Sequence, residues 1–166
     1  MQIVYFSIPN LNHYNMLFNI VIGLIVVGIT VIIQALGSMF WVRKYGRDIR
    51  TIKDLTSVKY GTRLLISTSV FLIFIHLVQA LLWAITYLFL PGIDEIETLE
   101  KAVYFSLVTF TTLGYGEITI GSSHRILAGL EAINGITLIG WSTAFMFTIF
   151  QNMLKQRFYE SVKKND

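Results

Sequence analysis

At 166 residues, 54% of them hydrophobic and only 14% charged, the chain is far less polar than a soluble domain, in which about 25% of residues are charged. A mean hydropathy of +0.64 places it in the membrane class, and the absence of cysteine excludes a disulfide framework, a thiolate nucleophile and a thiolate metal site. The net charge of +3 does not point to nucleic acid, because the basic residues cluster in two short segments beside apolar runs, as in cytoplasmic membrane flanks.

Residues 1–42 contain no Asp, Glu, Lys or Arg, and the run 16–41 is long enough for one helix across a hydrocarbon core of about 30 Å. It has no basic leader and exceeds the apolar length of a signal peptide, so it is expected to be a retained span. Residues 43–60 form a basic linker, with Arg43, Lys44, Arg47, Arg50, Lys53 and Lys59. Arg43, Arg47, Arg50 and Lys53 recur at spacings of three and four, and Ile49, Ile52 and Leu55 at three. That pattern fits either a helix lying on an anionic inner leaflet, making residues 43–59 a candidate lipid contact, or a generic cytoplasmic flank.

A second charge-free run covers residues 64–93. A helix over 64–90 is about 40 Å long and must tilt or protrude. Residues 91–100 carry Asp94, Glu95, Glu97 and Glu100, an acidic group that either concentrates cations or is merely solvated. The next apolar piece is short. A helix over 99–111 reaches only about 20 Å, too little to cross, so it is a re-entrant candidate. Backbone that dips into a membrane without spanning it must be buried in protein or line a water-filled path. A third full run, 132–154, leads to a tail, 153–166, with Lys155, Arg157, Lys163 and Lys164. The basic linker and tail are expected in the cytoplasm and the amino terminus outside, and three spans plus one re-entrant loop satisfy this.

Between the short helix and the third run stands Thr-Thr-Leu-Gly-Tyr-Gly-Glu at 111–117. With the preceding Thr109 and Phe110, this stretch resembles the pore region of potassium channels, whose filter strand reads Thr-Val-Gly-Tyr-Gly. The resemblance covers roughly residues 61–152, the expected pore module. It implies an all-α membrane protein with three transmembrane helices, a re-entrant pore helix and a selectivity-filter loop, assembled as a homotetramer. Thr112, Leu113, Gly114, Tyr115 and Gly116 match the filter. Backbone carbonyls there replace the hydration shell of K+, the permeant ion. Pointing successive carbonyls one way requires alternating dihedral regions, and Gly114 and Gly116 reach positive φ at little steric cost. One chain supplies one strand, so a closed ring takes four.

Leu113 stands in place of the commoner valine and Glu117 in place of aspartate. The longer arm of Glu117 puts the family's hydrogen bond from that carboxylate to the pore helix in doubt. Val108 occupies a position where some members have glutamate. Thr109, Thr111, Glu117 and Glu131 are the expected filter supports. Two readings are open for Glu131: some of Glu131, Asn134, His76 and Gln79 meet behind the filter and replace the missing carboxylate at 108, or Glu131 lies near the interface and snorkels to water. Alignment to the family puts Ile136, Ile139, Thr143 and Phe147 on the cavity face, and Gly135 at the hinge. Gly135 and Gly140 serve equally well for close helix packing.

No span carries arginine at every third position, so a voltage sensor of the gating-charge kind is not expected. The short tail after Leu154 gives no expectation of a sensing domain. No cofactor, no nucleic acid and no enzymatic step are expected. The rivals are a cation channel that does not separate potassium from sodium, a non-conducting assembly subunit, and an intramembrane enzyme resting on His76 and Glu131 alone.

Overall fold

The computed structural model describes residues 9–50, 58–121 and 124–163, with side chains placed over 16–45, 59–121 and 124–155. Those residues form four helices: α1 Pro9–Arg50, α2 Val58–Phe89, α3 Leu99–Phe110 and α4 Arg125–Lys163. Among the described residues there is no strand. Three stretches are long and apolar enough to cross a membrane: Met16–Tyr45, Lys59–Phe89 and Arg125–Lys155. Helix α1 continues past Trp41 into the basic linker as far as Arg50. The basic and apolar stripes expected along the rest of that linker lie outside the described residues.

Local sequence sets the boundaries. α2 stops at Phe89, ahead of Pro91 and of Gly92 at φ +85°, residues that end helices because one lacks an N–H and the other tolerates a left-handed turn. α3 starts from Thr98, whose side chain accepts from the Lys101 N–H, and has Glu100 in its first turn, where a carboxylate suits the positive end of the helix dipole.

The buried face of α1 is polar and its exposed faces are apolar. Asn19, Thr30, Gln34 and Ser38 are buried with Val26 and Trp41, while Leu17, Leu24, Ile25 and Ile32 are each more than half exposed. A water-soluble helix shows the reverse. In lipid, packing faces use small and polar side chains and the apolar surface meets acyl chains.

The chain divides into two compact units. The first takes the described residues of Met1–Ile29 and Ala80–Gly135. Its core contains Trp83, Ala84, Tyr87, Ala102, Phe110 and Leu127, each at most 2% exposed. Tyr87 meets Phe105 edge-on, with ring centroids 5.0 Å apart. Gly23 lets α1 approach Leu127 and Leu130 on α4, where a Cβ would collide with Leu130.

The second unit takes the described residues of Thr30–Gln79 and Ile136–Asp166. Trp41, Leu64, Ile149 and Met153 form its apolar cluster, with Phe71 and Tyr45 packed against them. Trp41 stacks on Phe71 at 4.2 Å between centroids and donates its indole N–H to Thr68 Oγ1 at 2.9 Å. Buried residues on α2 recur as Leu64, Thr68, Leu72, Ile75 and Gln79, one helical stripe at spacings of three and four.

Candidate functional site

The strand after α3 begins as a helix cap. Phe110 is the last helical residue and Thr111 the C-cap. The Thr112 N–H donates to the Thr109 carbonyl at 2.9 Å, and the Leu113 N–H to the Val108 carbonyl at 2.9 Å. Those two bonds define a Schellman motif, whose left-handed position normally holds glycine. Here Thr112 occupies it, at φ +58°, an uncommon conformation for a β-branched residue. The Gly114 N–H adds a third tie, to Val108 O at 3.3 Å, and the Thr111 hydroxyl closes back on Leu107 O at 2.7 Å.

From there the backbone alternates. Thr112, Gly114 and Gly116 have φ of +58°, +57° and +79°, while Leu113 and Tyr115 between them are not positive. Alternating right- and left-handed dihedrals turn successive peptide planes the same way, so that carbonyls gather on one side of the strand and N–H groups on the other. A row of carbonyl oxygens is a hard-donor surface for a cation. Residues 111–117 are all exposed in the single chain, with the side chains of Leu113 and Tyr115 at 55% and 65%. Among the described residues nothing lies within 4 Å of a Cβ built on Gly114 or Gly116, so the glycines answer to backbone conformation and not to crowding within the subunit.

Glu117 reaches α3 after all: the Tyr104 hydroxyl donates to its carboxylate at 2.6 Å. That bond raises the Tyr104 pKa above the usual phenol range, which keeps the hydroxyl a donor. A cavity of about 460 Å³ opens beside the strand, lined by Tyr104, Val108, Thr109, Gly114, Tyr115 and Glu117 among others.

Behind α3, Glu131 is fully buried. Tyr87 on α2 donates to its Oε2 at 2.7 Å, and Ser106 on α3 meets its Oε1. Ser106 Oγ also lies 2.7 Å from the Ala80 carbonyl. A hydroxyl has one proton, which Ser106 shares between the Ala80 carbonyl and the Glu131 carboxyl in a three-centre arrangement. Glu131 thus ties α2, α3 and α4 together.

His76 Nδ1 pairs with Gln79 Oε1 at 2.9 Å, and both residues belong to the second unit. Asn134 is buried next to Gly135. Sequence reading missed Tyr87 and Ser106. The available signal was chemical: a tyrosine inside an apolar span needs a partner for its hydroxyl.

α4 passes through Gly135 as continuous helix. A Cβ there would run into the backbone of Phe110, at its carbonyl, so this glycine serves the close approach of α4 to the end of α3. Gly135→Val is expected to destabilise the folded subunit by about 1–3 kcal/mol through overpacking. Thermal unfolding in detergent, compared with Gly140→Val where an added Cβ meets nothing within 4 Å, measures the difference. Ile136 and Phe147 are exposed at 59% and 57%, and Thr143 is exposed with its hydroxyl turned back to Ile139 O at 3.0 Å. Ile139, Thr143 and Phe147 share a groove of about 510 Å³ with Ser69, Leu72 and His76 on α2. Among the described residues no group of His, Asp and Glu side chains is arranged to hold a metal.

Against this geometry the comparisons are specific. The profile of a family described as Ion channel matches residues 65–152. A cyclic nucleotide-gated potassium channel of Rhizobium etli is 32% identical over 74 residues, which is 44% of this chain and 19% of that protein. The voltage-gated potassium channel Kch of Escherichia coli is 37% identical over 73 residues, 43% of this chain and 17% of that one. The matched stretch is thus under a fifth of each relative's length. No solved structure matches the chain.

Proposed function

The chain belongs to the ion channel family, and from that premise we propose that it conducts potassium passively through a pore formed by four copies of itself. The observation that carries the reading is the alternation of φ along 112–116. Only a strand in that conformation offers a stack of carbonyls to a dehydrated cation, and a fourfold ring of such strands replaces the ion's water. K+ is cargo. Thr112, Leu113, Gly114 and Tyr115 supply its carbonyl ligands, with Gly116 at the outer end, and the Thr112 hydroxyl adds a further acceptor at the inner end. The negative end of α3 adds a partial charge of about −0.5 near the ion path. The matched family and both relatives are ion channels and not enzymes.

In this reading Thr109 and Thr111 hold the end of the pore helix, and Glu117 and Glu131 brace the filter from its outer end and from behind. Ile136, Ile139, Thr143 and Phe147 face the cavity below it, and Gly135 marks the level at which α4 can bend. The amino terminus lies outside, the basic linker and tail lie inside, and residues 43–59 contact anionic lipid.

Purified protein in liposomes should pass potassium far faster than sodium and be blocked by barium. Equal rates for the two ions would favour the non-selective alternative, and no flux would favour an assembly subunit. A finer test concerns the Glu117 brace. Tyr104→Phe keeps the ring and removes the hydrogen bond to Glu117. Recordings in bilayers are expected to show conduction lapsing sooner at steady voltage, with unitary current unchanged. Unaltered kinetics would remove Glu117 from the support.

A further inference from the structure

Three helices of the second unit are joined by a polar chain with one permitted direction. Gln79 Nε2 on α2 lies 3.2 Å from the Thr30 carbonyl on α1, which can only accept. That contact fixes the orientation of the Gln79 amide. Its nitrogen therefore donates to Gln34 Oε1 at 3.0 Å, and its oxygen accepts from His76 Nδ1 at 2.9 Å. With Gln34 Oε1 facing Gln79, the Gln34 nitrogen faces α4 and donates to Ser142 Oγ at 2.9 Å. The order of donation runs His76, Gln79, Gln34, Ser142. Thr30, Gln34, Gln79 and Ser142 are all buried. Ser142 is the neighbour of Thr143, whose face looks into the groove shared with α2.

We propose that Gln34 and Gln79 are positioning residues for α4, so that the first span is a built-in control element of the pore and not a passive anchor. The proposal rests on the potassium-channel reading above. Each amide uses both ends, and each link has one satisfied arrangement. In a span away from water the Gln34–Ser142 bond cannot be exchanged for a solvent bond, so a displacement of α4 relative to α1 breaks it. The relay then favours the α4 position in which it is intact, and by thermodynamic reciprocity the α4 position biases α1. Trp41, stacked on Phe71 and bonded to Thr68, fixes α1 to α2 along the same unit, whereas Ile149 and Met153 of α4 join that cluster through apolar packing alone.

The test uses the full-length protein in planar bilayers. Gln34→Leu and Ser142→Ala are each expected to change open probability by about threefold, the ratio that matches a typical hydrogen bond between membrane helices. Unitary conductance and the potassium–sodium reversal potential should stay put. The double variant should behave as either single one, and the exchanged pair Gln34→Ser with Ser142→Gln should recover part of the wild-type value. Unchanged open probability, or additive effects in the double variant, overturns the proposal. So does a parallel change in selectivity, which would place the effect in the filter. A wild type without potassium flux would sink the channel reading instead. A second readout covers that case and any variant that fails to conduct. The chain has no cysteine, so spin labels placed through Ile32→Cys and Phe150→Cys, both exposed positions, report the α1–α4 separation directly. In tetramers diluted with unlabelled subunits the inference expects one narrow intrasubunit distance distribution, broadened by Gln34→Leu. An unaltered distribution overturns it.

Discussion

Gly114→Ala is expected to abolish potassium-selective flux while leaving the subunit folded and inserted. Gly114 sits at φ +57°, a region that costs a residue with a Cβ roughly 1–2 kcal/mol. Among the described residues of the subunit nothing within 4 Å obstructs the added methyl, so within one chain the penalty is one of backbone conformation and not of packing. Repeated in four subunits it comes to roughly 4–8 kcal/mol across one ring, comparable with the whole stability of many domains. The strand relieves it by rotating the peptide between Leu113 and Gly114, which takes a carbonyl out of the row. Liposome flux measures the outcome: potassium over sodium selectivity should disappear, while the oligomer on native gels is retained. A Gly114→Ala protein with wild-type selectivity would refute the carbonyl-row account.

Glu131 offers the second large effect, and the direction depends on its proton. If Glu131 is a neutral acid, Glu131→Gln is nearly isosteric in hydrogen bonding. The amide N–H donates to Ser106 and the amide oxygen accepts from Tyr87. Glu131→Leu removes both partners and leaves the Tyr87 hydroxyl buried without an acceptor, at a cost of about 1–3 kcal/mol per subunit. The expected order of thermal stability in detergent is wild type, close to Gln, well above Leu. Filter lifetime in bilayers should follow the same order, because Ser106 lies on α3, one turn before Phe110. A Gln variant as damaged as the Leu variant would mean that Glu131 is ionised.

How much of this was legible in the sequence depends on whether a feature is local. The spans were legible because a charge-free run is a property of contiguous residues, and the short helix because its length alone forbids crossing. The alternation at Gly114 and Gly116 was legible because glycine advertises positive φ. Thr112 was not: threonine gives no such signal, and its left-handed turn follows from two cap bonds to Val108 and Thr109. The basic residues after Trp41 mark where lipid ends and not where helix ends, since α1 runs on to Arg50. Glu131 was noticed as an expensive residue, yet its partners Tyr87 and Ser106 lie 44 and 25 positions away, a separation no periodicity reports. His76 and Gln79, one helix turn apart, do meet each other, a pairing that helical spacing reports.

The inside-out face of α1 bears on how the protein is made. Asn19, Thr30, Gln34 and Ser38 lie along one side, and a lone helix leaving the translocon would present all four to acyl chains before any partner existed. Gln79 and Ser142, the partners of Gln34, are synthesised later, on α2 and α4. The nascent first span is therefore a provisional tenant of the bilayer, one whose residence becomes secure only when the following hairpin arrives.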